Sequence, residues 1–184
     1  MITLHLDLTG DATRRSILAD LRGRLDDGGR AALDAAVEAA GVPERHHHDL
    51  GEVLATVDAL NASDRVKADL RAIYRILAEA EATAHGCAVE QTHFHEVGND
   101  EAIRNVAAIS LAIEALAPER ITATPVQVGS GTVVCAHGEL PIPAPATAAI
   151  LATGIPVCAE KREGERCTPT SAAVIKHFVD AFDA

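Results

Sequence analysis

Hydrophobic residues recur along this chain in two rhythms, and the switches between them mark its elements. Residues 2–8 alternate apolar and polar side chains, the period of a strand. Over 13–25, Ile17, Leu18, Leu21 and Leu25 fall on one helical face. Asp26-Asp27-Gly28-Gly29 interrupts that face, and a second helix is predicted over 31–40, closed by Gly41 and Pro43. Leu50, Val53, Leu54, Val57 and Leu60 form a third stripe, with Asp49 as N-cap and Glu52 in capping-box register. The longest helix is predicted over 64–84, where Val66, Leu70, Ile73, Leu77, Ala80 and Ala84 keep three-four spacing. Gly86 suits the left-handed C-cap that would end it.

A short strand is predicted over 89–95, then a helix over 100–117 capped by Asn99, with Asp100 and Glu101 at its positive end. Beyond Pro118 the period returns to two. Strands are predicted over 121–128 and 132–136, joined at Gly129-Ser130-Gly131. Pro141, Pro143 and Pro145 stiffen the following loop. A short helix over 146–153, a strand over 155–159 and a final helix to about residue 182 complete the pattern. Thr168 is an N-cap for that helix and Pro169 sits at its first position. The expected fold is a single α/β domain over 1–184, with a mixed sheet of about five short strands and helices packed on it.

Composition narrows the function. The chain has 184 residues, and 48% of them are hydrophobic but only 2% aromatic, so Ala, Leu, Val and Ile must build the core. Sixteen basic against 27 acidic residues give a net charge of −11, with no basic stripe, which argues against nucleic acid and is compatible with attracting cations. No signal peptide is expected, since the start leads directly into the first predicted strand, and no apolar run reaches the roughly 18 residues of a membrane span. Cys87, Cys135, Cys158 and Cys167 lack CxxC spacing, so reduced thiols in a cytoplasmic protein are expected.

The candidate chemistry is mostly imidazole. On the strand predicted over 89–95, His93 and His95 share one face, beside Glu96 at a strand-to-helix corner. Such a pair can converge on a metal ion or an anionic ligand, or it can simply hydrogen-bond backbone. His46-His47-His48 cannot all face one way in any regular element, so the triplet is a loop, either metal-binding or merely solvated. Cys135 and His137 alternate onto one face. Gly129-Ser130-Gly131 is a hairpin turn or a phosphate nest, and the hairpin is the reading taken. The helix start at Thr168, Thr170 and Ser171 offers free N–H groups to an anion, or is ordinary capping.

Several of these segments together resemble one family. They are Ala80-Glu81-Ala82 with His85-Gly86, His93-Phe94-His95-Glu96-Val97-Gly98, Gly129-Ser130-Gly131 through Ala136-His137-Gly138, Leu140-Pro141-Ile142-Pro143-Ala144-Pro145-Ala146-Thr147, and Thr168-Pro169-Thr170. In this order, over roughly 46–178, the chain is similar to the nickel insertion proteins that complete the nickel-pincer nucleotide cofactor of lactate racemase (the LarC family). The resemblance implies insertion of nickel between the two sulfurs of a pyridinium bisthiocarboxylate mononucleotide, with CTP consumed. It implies metal residues His46, His47, His48, His93, His95 and His137. Substrate contacts would come from Glu96, Gly129, Ser130, Gly131, Thr168, Thr170 and Ser171.

The sequence also departs from the family pattern. The turn after the first strand reads Thr9-Gly10-Asp11, without the family's second glycine and methionine, and Glu101-Ala102-Ile103 replaces Asp-Ser-Ile. The C-terminal CTP-binding domain is expected to be absent, leaving CTP and its divalent metal to a separate second-half partner. Two readings stand. One is the metal-presenting half of a CTP-dependent cyclometallase, of the lyase class. The other is a non-enzymatic metal- or nucleotide-binding relative, in either case with an oligomer possible.

Overall fold

A computed structural model describes residues 2–183. Its central element is helix α4 (Asp64–His85), which buries Val66, Leu70, Ile73, Tyr74 and Leu77 completely. Ser63 caps the start by accepting the Val66 N–H, and Gly86 ends it in the left-handed conformation, as its sequence predicts. Four helices pack on this rod: α3 (Leu50–Ala59), α5 (Asp100–Leu116), α6 (Pro145–Leu151) and α7 (Pro169–Phe178). Helices α1 (Arg14–Gly23) and α2 (Asp27–Ala40) lie on α5. One apolar cluster joins all seven helices to the strands. The core is aliphatic apart from Tyr74 and Phe94, and truncating one of its leucines would cost about 2–5 kcal/mol.

The fold is α/β, but the strands do not form one mixed sheet. A three-stranded parallel sheet runs in the order β1 (Thr3–Leu6), β2 (Arg120–Ala123), β7 (Ala181–Phe182). Two small antiparallel pairs stand apart: β3 (Gly129–Ser130) with β6 (Gly164–Glu165), and β4 (Thr132–Cys135) with β5 (Gly138–Pro141). The hairpin expected at Gly129-Ser130-Gly131 therefore gives way to one turning at Ala136-His137. Pro125 has no N–H for a ladder, and β2 stops before it. Gly129, at φ 85°, lies so close to the Gly164 carbonyl that any Cβ would collide with it, which commits this backbone to β6.

Other boundaries shift for local reasons. Helix α2 begins before its glycines because Asp26 accepts the Gly29 N–H. The last helix stops at Phe178, and Asp180 to Asp183 bond to Ile121 and Ala123 as the third strand. The strand expected over 155–159 is a single parallel bridge between Val126 and Val157. The strand expected over 89–95 is a 3₁₀ turn at Val89–Gln91 followed by extended chain. Its alternation is real, with Thr92 and Phe94 buried and His93 and His95 exposed. It has no neighbouring strand, however, and its backbone partner is the histidine loop.

Candidate functional site

The corner between residues 92 and 99 is held from behind by His46-His47-His48. The Phe94 N–H donates to the His48 carbonyl at 2.7 Å, and the His47 N–H donates to the Gly98 carbonyl at 2.8 Å. The His46 ring meets the Phe94 carbonyl at 2.8 Å. His47 is fully buried, with Nδ1 3.2 Å from the Gly98 carbonyl and Nε2 2.7 Å from the Thr56 hydroxyl. Burial holds its imidazole below the ordinary histidine range. Gly98 has no alternative at this contact, since a Cβ there would overlap the His47 carbonyl and press on Phe94. Tyr74 of α4 completes the support by donating its hydroxyl to the Val97 carbonyl at 3.0 Å.

What this scaffold holds up is a cavity of ≈ 520 Å³. The C-terminal end of α4 supplies Glu81 and His85, the corner supplies His95 and Glu96, and the β4–β5 hairpin supplies Cys135 and His137. Arg14, Asn99, Glu165 and the start of α7 at Thr168, Pro169 and Thr170 close the remaining wall. Three imidazoles meet here. The ring centres of His95 and His137 are 4.5 Å apart, edge to face, those of His85 and His137 4.9 Å, and those of His85 and His95 6.5 Å. His85 Nε2 lies 3.6 Å from the Glu81 carboxylate, and Glu96 Oε1 accepts the Ala136 N–H at 3.4 Å, tying the hairpin to the corner.

The electrostatics suit neutral donors. Burial, then the neighbouring His137 and His85, hold the His95 imidazole below its usual range, which favours its neutral form. Burial pushes Glu81 above the usual carboxylate range against the pull of His85 and His95. Burial and the charge of Glu96 push Glu165 the same way. Among the described residues, no group of three or more His, Cys, Asp or Glu side chains is arranged to hold a metal ion as it stands. The three rings are an open gathering of donors rather than a closed cage.

The family model for nickel insertion proteins matches residues 14–184. This chain belongs to the nickel insertion protein family. Its relatives include putative nickel insertion proteins of Citrifermentans bemidjiense, Rhodopirellula baltica and Methanococcoides burtonii. They are 41%, 40% and 41% identical over 76%, 76% and 72% of this chain and 35%, 35% and 34% of their own lengths. The chain thus spans about a third of the curated relatives it matches. No solved structure matches it.

The sequence-predicted residues divide sharply in the fold. His95, His137, Glu96, Thr168 and Thr170 line the cavity. His46, His47, His48 and His93 do not, and His93 is exposed beside it. Gly129, Ser130 and Gly131 also lie outside the lining; the Ser130 hydroxyl donates to the Arg162 carbonyl at 2.9 Å. Ser171 is buried, its hydroxyl accepting the Thr168 N–H at 2.9 Å while the Thr168 hydroxyl accepts the Ser171 N–H, a capping box. Sequence reasoning marked Glu81 and His85 as part of a family motif without giving them a site role, and passed over Arg14 and Glu165. An i,i+4 Glu81–His85 pair at a helix end was a findable signal. So was Arg14, a cation placed at the positive end of α1, where the helix dipole disfavours it.

Proposed function

We propose that this chain presents nickel to a pyridinium bisthiocarboxylate mononucleotide, as the N-terminal half of a CTP-dependent cyclometallase of the lyase class working in the cytoplasm. The observation that carries the reading is the meeting of His85, His95 and His137 at a cavity of ≈ 520 Å³. That volume lies within the usual range for small-molecule sites. Nickel is the cargo. Imidazole is a suitable borderline ligand for it, and an open set of histidines can release the ion to sulfur donors on the substrate. A closed cage would keep it. The start of α7 faces the cavity with Thr168 and Thr170 and would take the nucleotide phosphate. CTP and its divalent metal would be bound by a separate second-half partner or domain. The four cysteines are unpaired, in keeping with a reducing compartment, and no helix among the described residues is long and apolar enough to cross a membrane.

The test is transfer of nickel. The purified chain is loaded with one equivalent of nickel, then given the mononucleotide, CTP, magnesium and the C-terminal portion of a relative. Formation of the nickel–pincer absorption supports the reading, and its loss in His95→Ala and His137→Ala supports the assigned donors. The alternative is a binding protein without turnover, favoured by the absence of any preformed three-donor metal site among the described residues. It predicts nickel and nucleotide binding with no transfer.

A further inference from the structure

Among the described residues, Arg14 and Thr147 each carry a buried polar side-chain atom without a hydrogen-bond partner, and of the two only Arg14 carries a charge. Its guanidinium lines the cavity, its side chain is only 20% exposed, and its Nε is buried without a hydrogen-bond partner. The carboxylate it pairs with, Glu101, stands 3.8 Å from Nη2, beyond hydrogen-bond reach, and Glu101 already accepts from Arg15 at 2.5 Å. A desolvated cation with an idle donor is costly in a native fold. Arg14 is also the first residue of α1, where the helix dipole adds to the penalty.

Its surroundings concentrate positive potential. The Ala12 N–H donates to the Arg166 carbonyl at 2.8 Å, which sets the start of α1 beside the start of α7. Asn99, the N-cap of α5, and Thr168, the N-cap of α7, border the same cavity. Glu81 faces His85 and Glu96 holds the hairpin, while Glu165, on the same wall as Arg14, has its carboxyl pushed above the usual range by burial and by Glu96. The cavity thus has a histidine-rich end for a metal and a cationic end for something else.

We propose that Arg14 is the oxyanion-binding residue of this cavity, taking a carboxylate-type or phosphate group of the substrate through the outer N–H groups of its guanidinium. The guanidinium edge matches either oxyanion with two parallel hydrogen bonds, which an ammonium cannot reproduce. Binding would set the ligand's charge against that of the guanidinium. This assignment rests on the mononucleotide reading above and names the group that anchors that ligand.

The test is calorimetric titration of the metal-free chain and its Arg14→Gln and Arg14→Lys variants with nicotinic acid mononucleotide. This pyridinium ligand carries both a carboxylate and a phosphate. Arg14→Gln is expected to bind about 10- to 100-fold more weakly, the loss typical of a charged hydrogen bond, and Arg14→Lys to recover only part of it. Nickel affinity should not change in either variant, which also reports that the cavity has kept its shape. Nicotinamide mononucleotide, without the carboxylate, and nicotinic acid riboside, without the phosphate, identify the partner: the Arg14→Gln penalty disappears with whichever probe lacks it. Equal affinity of the parent and Arg14→Gln for nicotinic acid mononucleotide overturns the Arg14 assignment alone. If the parent binds none of the three probes, the mononucleotide reading fails and takes this assignment with it.

Discussion

Two sets of three histidines lie within this small molecule, and they do opposite things. His46, His47 and His48 are consecutive, yet the fold sends them different ways: one half-buried against a carbonyl, one fully buried, one exposed. His85, His95 and His137 come from a helix end, a loop and a hairpin turn, yet their rings converge within 6.5 Å. A run of imidazoles in sequence is therefore a poor guide to which rings gather in the fold. Convergence depends on the elements that carry the residues, and here the run supports the corner that presents the scattered set.

The largest effect that would break this comparison is on stability. His47→Ala removes a buried ring with two side-chain hydrogen bonds, and should cost about 3 kcal/mol in chemical denaturation. Gly98→Ala should be comparably damaging, because its Cβ must displace the His47 backbone. If His47→Ala instead leaves the unfolding midpoint untouched and abolishes nickel binding, the division between supporting and presenting histidines is wrong.

The converse substitutions act on binding. His95→Ala and His137→Ala remove exposed rings and should change stability by no more than about 0.5 kcal/mol. Each should weaken nickel binding at least about tenfold, or 1.4 kcal/mol. Equilibrium dialysis with nickel alone measures it. Unchanged affinity in both would leave the ring cluster without a metal role.

Acidity sharpens the contrast more gently. The His47 imidazole is held below its unfolded value by burial, against the pull of the Gly98 carbonyl and of Glu52 and with the push of Arg45. Between the folded and unfolded values the unfolded chain binds the extra proton, so stability rises with pH there. It is fully present above about pH 6.5, the unfolded histidine value, and is lost as pH falls toward the folded one. His95 shifts the same way but is exposed, so solvent screening leaves it a lesser share. Denaturation curves at pH 7.5 and 5.5 should therefore diverge less in His47→Gln than in the parent. An equal loss in both would place the acid sensitivity elsewhere.

Much of this was legible before the fold. Asn99, Asp49 and Thr168 cap the helices that their neighbours predict, because capping is a local hydrogen bond that needs only the chain itself. The stripe on α4 is legible for the same reason. Strand pairing is not local. Thr132 could have answered residues across Gly129-Ser130-Gly131, and only the approach of Gly164 decides otherwise. In the site, His95 and His137 were visible through their motifs. His85 looked like an ordinary helix terminus, because what makes it a cavity residue is the hairpin arriving from fifty residues away.

The smallest effect concerns two adjacent residues that repeat the comparison in miniature. Thr170 and Ser171 both open α7, and both are buried. Thr170 lines the cavity; Ser171 turns inward, where its hydroxyl bonds Thr168 in the capping box. Ser171→Ala should therefore cost about 1 kcal/mol of stability, the usual worth of a cap, and leave ligand affinity unchanged. Thr170→Val keeps the shape and removes only the hydroxyl. It should leave the melting temperature within a degree or two, an effect of about 0.5 kcal/mol or less, while weakening nicotinic acid mononucleotide severalfold. Thermal melts and calorimetry on the two variants separate the roles. Should Thr170→Val lose stability and keep its affinity, the start of α7 is capping alone, and the phosphate of the nucleotide must be sought at Arg14 without it.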